Sequence, residues 1–187
     1  MRSYRDLFRT PEFTPLLLAA SAQTLARTTS GLALATLVHR ETASPLLAAL
    51  SMFGPSLAHV LGATLLMSAA DRLPPRAATA GTALAFAAAT ALLALPGLPL
   101  PAVFAVLLLQ GLVASVGGGV GWGLLNEILP RDGYLLGRSV FSVMHGLTQI
   151  TGYATGGLLL ALLSPRATLL LAASLYGTAA LVARLGP

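Results

Sequence analysis

The chain has 187 residues, of which 56% are hydrophobic and only 9% charged. A soluble domain carries about 25% charge, so this composition excludes a water-facing surface and indicates an integral membrane protein, one domain by length. The net charge of +5 comes from 11 arginines against six acids, and there is no cysteine; the scattered arginines fit an anionic membrane leaflet rather than nucleic acid, and disulfides and thiolate sites are excluded.

A bilayer-crossing helix needs roughly 17–25 apolar residues, and six runs meet that length. The sequence therefore predicts an all-α, six-helix transmembrane bundle, with spans at about 13–38, 45–70, 77–95, 102–125, 139–163 and 167–183. Span 1 continues past the apolar run 16–22 through Gln23 and Arg27, so a cleaved signal peptide fits it poorly. Gln23, Arg27 and Ser30 are spaced four then three, which puts them on one helix face. Arg27 is near mid-span and carries the highest desolvation cost in the chain, so a cavity-lining role is expected for it.

Span 2 follows the break HRETASP and carries Ser51, Pro55 and His59 at steps of four. Pro55 is expected to kink the helix and free a carbonyl. His59 could titrate, hydrogen-bond or bind a ligand, or it could be a satisfied structural group. Span 3 follows the break at DRLPPR, where adjacent prolines prevent one continuous helix. After PGLPLP, span 4 carries Gln110 and the glycine-rich stretch GGGVGWG, including the pair Gly117 and Gly121.

After NEILPRDGYLLGR, span 5 presents Ser142, His145, Gln149 and Tyr153 as a polar stripe, with Gly152 and Gly156 among them. Small residues four apart allow helices to approach closely, and packing is the simplest role for these glycines. Span 6 follows SPR. Spans 3 and 6 read as lacking ionisable interior residues; their hydroxyls can return to the helix backbone. Polarity thus concentrates in spans 1, 2, 4 and 5, which suggests four helices around a cavity and two against lipid.

With the N-terminus in the cytoplasm, eight arginines fall inside and two outside, with Arg27 within span 1. This bias predicts a multi-pass protein of the inner (plasma) membrane with both termini cytoplasmic. Enzyme templates fit poorly. There is no Gly-x-Ser-Gly nucleophile motif of a rhomboid-type protease, no paired carboxylate, no metal signature and no phosphate loop, so neither catalysis nor a cofactor is expected.

The loop MSAADRLPPR, residues 67–76, resembles the signature loop of the major facilitator superfamily, roughly Gly-x-x-x-Asp-Arg-x-Gly-Arg-Arg. Asp71, Arg72 and Arg76 match, whereas Met67 and Pro74 replace the glycines and Pro75 replaces one basic residue. In span 4, LLLQGLVAS resembles the pattern Arg-x-x-Gln-Gly at Gln110 and Gly111, with Leu107 at the Arg position. In span 5, GYATGG resembles the antiporter pattern Gly-Pro-x-x-Gly-Gly, with Tyr153 in place of Pro.

The resemblance implies the N-terminal six-helix half of an efflux-type transporter working by alternating access. It implies a small-molecule substrate and a second six-helix half, from another copy or another polypeptide. Gln23, Arg27, His59, Gln110, His145 and Gln149 would then face the substrate cavity, and Asp71, Arg72 and Arg76 would belong to a gating loop. The alternative is a non-transporting membrane protein with a structural or interaction role, supported by the altered signature; an intramembrane enzyme is a remote third.

Overall fold

The computed structural model describes residues 13–70, 75–128 and 131–185, with side chains described except at 65–70, 75–77, 116–128, 131–133 and 185. Six helices account for nearly all of these residues: α1 Phe13–Thr42, α2 Pro45–Ala70, α3 Pro75–Leu93, α4 Leu100–Ile128, α5 Arg131–Leu162 and α6 Pro165–Leu185. The fold class is all-α, as the apolar periods imply. Several helices outrun their apolar spans, however. The break expected at NEILPRDGYLLGR is mostly helical, because α4 runs to Ile128 and α5 begins at Arg131. Polar residues at a span's end do not stop a helix, whose continuation needs only its backbone hydrogen bonds.

Where the chain does turn, the local chemistry explains it. α2 and α6 both begin with serine followed by proline. The Ser44 hydroxyl accepts from the Leu47 amide at 3.3 Å, and the Ser164 hydroxyl accepts from the Ala167 amide at 3.2 Å. Each serine caps its helix, and Pro45 and Pro165 occupy the first helical turn, where a missing N–H costs nothing. Ala43 takes a left-handed φ of 51° in the link between α1 and α2. Gly97, at φ 78°, turns the chain between α3 and α4. These three turns lie at one end of the bundle, where Arg166 reaches Glu41 at 3.0 Å and ties the α5–α6 turn to the α1–α2 turn.

Packing is not in chain order. α1 lies against α6, α5 and α2; α3 lies against α6 and α4; and α2 and α4 form an extensive pair. Helices α1, α6, α3, α4 and α2 therefore close a ring, with α5 laid on the outside of α1. At the turn end the ring is filled by Leu34, Val38, Leu93, Val103, Leu107 and Leu169. At the opposite end of α1, Phe13 and Leu17 pack against Val140, Phe141 and Met144 of α5, with the Phe13 and Phe141 rings edge to face at 5.7 Å.

Glycines set the closest approaches. A Cβ at Gly152 would overlap the Thr28 hydroxyl, and one at Gly111 would overlap Ala58. Thus α5 sits hard against α1, and α4 against α2. The outward surface carries large apolar side chains, among them Phe53, Leu57 and Leu61 on α2 and Leu147 and Ile150 on α5. Among the described residues two stretches, Pro45–Thr64 and Pro165–Arg184, are long and apolar enough to cross a bilayer; Ala78–Leu93 and Leu100–Ser115 are apolar but shorter.

Candidate functional site

Two polar regions meet at Arg27. The first is an open face running across α2, α1 and α5. The Arg27 guanidinium donates to the Ser56 hydroxyl of α2 at 3.3 Å. One turn earlier on α1, Thr24 lies 3.1 Å from Nδ1 of His145 on α5. The Thr24 hydroxyl already donates to the Ala20 carbonyl at 2.9 Å. The contact with His145 therefore needs a proton on Nδ1, which leaves Nε2 as an acceptor when the ring is neutral. Arg27, His145 and Gln149 are exposed along this face, and Gln23 is half-buried.

The close seat of α5 on α1 makes this face possible. Gly152 and Gly156 bring the α5 backbone against Thr28 and Thr29, and the Thr29 hydroxyl donates to the Gly152 carbonyl at 3.4 Å. Helices that approach this closely can share polar groups across their seam.

The second region is a partly open internal cavity of about 50 Å³ between α1, α2, α3, α4 and α6. Its polar lining comprises Arg27 and Ser30 of α1, Ser51 of α2, Thr90 of α3, Gln110 of α4 and Tyr176 of α6. Gln110 is buried and donates from Nε2 to the Thr90 hydroxyl at 3.2 Å. Pro55 also lines the cavity; it has no N–H to give to the carbonyl one turn before it, that of Ser51. Tyr176 is buried, with Ser30 and the Arg27 guanidinium as polar neighbours of its hydroxyl, and its ring packs on Phe86 at 5.3 Å.

Of the six residues expected to face one substrate cavity, Arg27 and Gln110 line this internal space. His145 and Gln149 lie on the open face instead. His59 is half-buried, its Nδ1 enclosed without a hydrogen-bond partner, and its backbone lies beside Gly111 at the α2–α4 seam. Asp71 and Arg72 lie outside the described residues. Arg76 lies in the first turn of α3, and Gly117 and Gly121 lie within α4, all in stretches whose side chains are outside the described ones.

The division into four cavity helices and two lipid-facing helices does not hold for the internal cavity. α3 and α6 contribute Thr90 and Tyr176, while α5 contributes nothing to its lining. Sequence reasoning missed these residues because a tyrosine in an apolar run reads as a hydrophobe and a threonine as self-satisfied. The available signal was the spacing of Leu169, Ala172, Ala173, Tyr176, Ala179 and Ala180, which recur every three or four residues and are all buried.

The family model described as Major Facilitator Superfamily matches residues 16–186. The chain belongs to that superfamily. Its members are membrane transporters rather than enzymes, so a transporter-type function in a membrane follows for this chain. No curated protein and no solved structure gave a match.

Proposed function

We propose that this major facilitator superfamily chain is a six-helix unit of an efflux transporter in the inner (plasma) membrane, with its termini in the cytoplasm. The unit moves a small molecule by alternating access against a second six-helix unit. The observation that carries this reading is the polar line from Ser56 through Arg27 and the buried Thr24 to His145, which crosses three adjacent helices with Ser56, Arg27 and His145 exposed. In a membrane an open polar face is costly unless it meets a partner or a watery path. Inverted or repeated six-helix units that rock about a midplane site provide such a path.

On this reading Gln23, Arg27, His145 and Gln149 contact the solute, and the guanidinium favours a polar or anionic group on it. Gln110 and His59 act from behind, at the cavity and at the α2–α4 seam. Asp71, Arg72 and Arg76 form the gate between the two units. The efflux direction rests on the span 5 resemblance at Gly152, Gly156 and Gly157.

The test is accumulation in inverted vesicles carrying the chain, with labelled organic anions, organic cations and sugars as probes. Chain-dependent accumulation that Arg27→Ala abolishes, with unchanged membrane insertion, supports the proposal. Accumulation unaffected by that substitution removes Arg27 from the path. Failure of every probe favours the non-transporting reading, to which the altered signature loop at 67–76 lends its support.

A further inference from the structure

The internal cavity is too small to be the solute path. Sites for drug-sized or metabolite-sized molecules span about 300–1,000 Å³, against about 50 Å³ here. A single water needs about 10–15 Å³ of such space, so this one has room for a few waters or for one small ion with little hydration.

Its charge is defined. Arg27 is the sole ionised group among the lining residues, and no described carboxylate lies within ion-pair distance of it. The guanidinium donates to the neutral Ser56 hydroxyl. Arg27 is exposed along its outer edge, and in a membrane an arginine without an opposite charge is costly until one accompanies it.

The donors converge as well. Gln110 has two amide hydrogens and gives one to Thr90, leaving the other for the cavity. The Tyr176 hydroxyl is buried at the same wall beside Ser30 and has one hydrogen, which can turn from Ser30 toward an anion. The Ser30 and Ser51 hydroxyls donate to their own helices, to the Arg27 and Ala48 carbonyls at 3.1 and 2.7 Å. They therefore close the cavity without adding charge. A cation is repelled by Arg27, and a divalent anion would exceed the single positive charge while shedding more hydration.

We propose that the cavity between α1, α2, α3, α4 and α6 binds one small monovalent anion of chloride's size, held by the Arg27 guanidinium, the Tyr176 hydroxyl and the Gln110 amide. The proposal rests on the bundle standing in a membrane and not on which solute it moves. The anion would neutralise Arg27 from the inside of the bundle while the outer edge of the same side chain remains at the open face.

The experiment is thermal unfolding of the full chain in lipid nanodiscs, with sodium chloride exchanged for sodium gluconate at constant ionic strength and pH. Chloride and bromide should raise the unfolding temperature saturably, and gluconate and sulfate should not. Arg27→Gln should abolish the response, and Tyr176→Phe should weaken the apparent affinity at least threefold. Arg166→Gln, which removes an arginine that does not line the cavity, should keep it. If Arg27→Gln does not yield folded protein, Gln110→Leu joins Tyr176→Phe in carrying the test. A wild-type protein indifferent to chloride, or a response that survives both cavity substitutions undiminished, overturns the proposal. A saturable chloride response in a chain that moves no solute upholds the anion site and counts against transport; transport without a chloride response does the reverse.

Discussion

The turn end of the bundle and its middle differ in where their polar groups lie and in how tightly they pack. At the turn end Ser44 and Ser164 cap the helices they precede, Arg166 crosses to Glu41 at the surface while its buried Nε has no partner, and apolar side chains fill the ring behind them. In the middle, polar groups reach across helices, from Arg27 to Ser56, Thr24 to His145 and Gln110 to Thr90, and the ring is left hollow. Interiors normally pack to the density of organic crystals. A hollow lined by polar groups is therefore a place where the fold gives up packing density, whereas the turn end is filled by apolar side chains.

The sharpest way to break this contrast is to separate the helices that create the middle region. Gly152→Leu should drive α5 off Thr28, destabilise the protein by about 3 kcal/mol and disperse the polar line; size-exclusion profiles after graded heating in detergent would record it. Gly157→Ala, on the same helix but with open space around it, should change little. A next, smaller effect tests the hollow itself. Gln110→Leu removes the bond to Thr90 and should cost about 1 kcal/mol in a reversible unfolding assay.

The turn end should respond differently. Ser164→Ala removes a cap and should also cost about 1 kcal/mol, but without altering transport, which separates scaffold from site. The smallest effect is expected from Glu41→Gln. Its ion pair with Arg166 is half exposed on both sides, so solvent screening leaves at most about 0.5 kcal/mol, and the difference from wild type should fade as salt rises. A large loss there would mean that the turn end depends on charge rather than on caps and packing.

Much of this was legible in the sequence, and for identifiable reasons. Long apolar runs punctuated by Ser-Pro, PGLPLP and DRLPPR place the helices, since proline and glycine act locally. Arg27 stands out because a charge within an apolar run has no local remedy. What remained hidden is pairwise. Nothing in the order of residues says that α1 leans on α6 rather than α4, so Tyr176 could not be assigned to the same wall as Arg27. His59 and His145 look alike as single histidines among apolar neighbours. Only packing distinguishes them, the first against Gly111 at a helix seam and the second beside Thr24 on an open face.

The ring closes through α1 and α6, the first and last helices described, and that has a consequence for synthesis. When α1 leaves the ribosome its buried stripe, including Ala26, Ala33 and Leu34, has no α6 to meet. Leu169, Ala172 and Tyr176 arrive some 140 residues later, about 7–28 s at ordinary elongation rates. Throughout that interval Arg27 stands in an unfinished helix pair, exposed to the insertion machinery and to membrane quality control. Ribosome-nascent chains stalled before α6 should therefore be degraded quickly, and release of α6 should mark the moment at which the protein becomes protected.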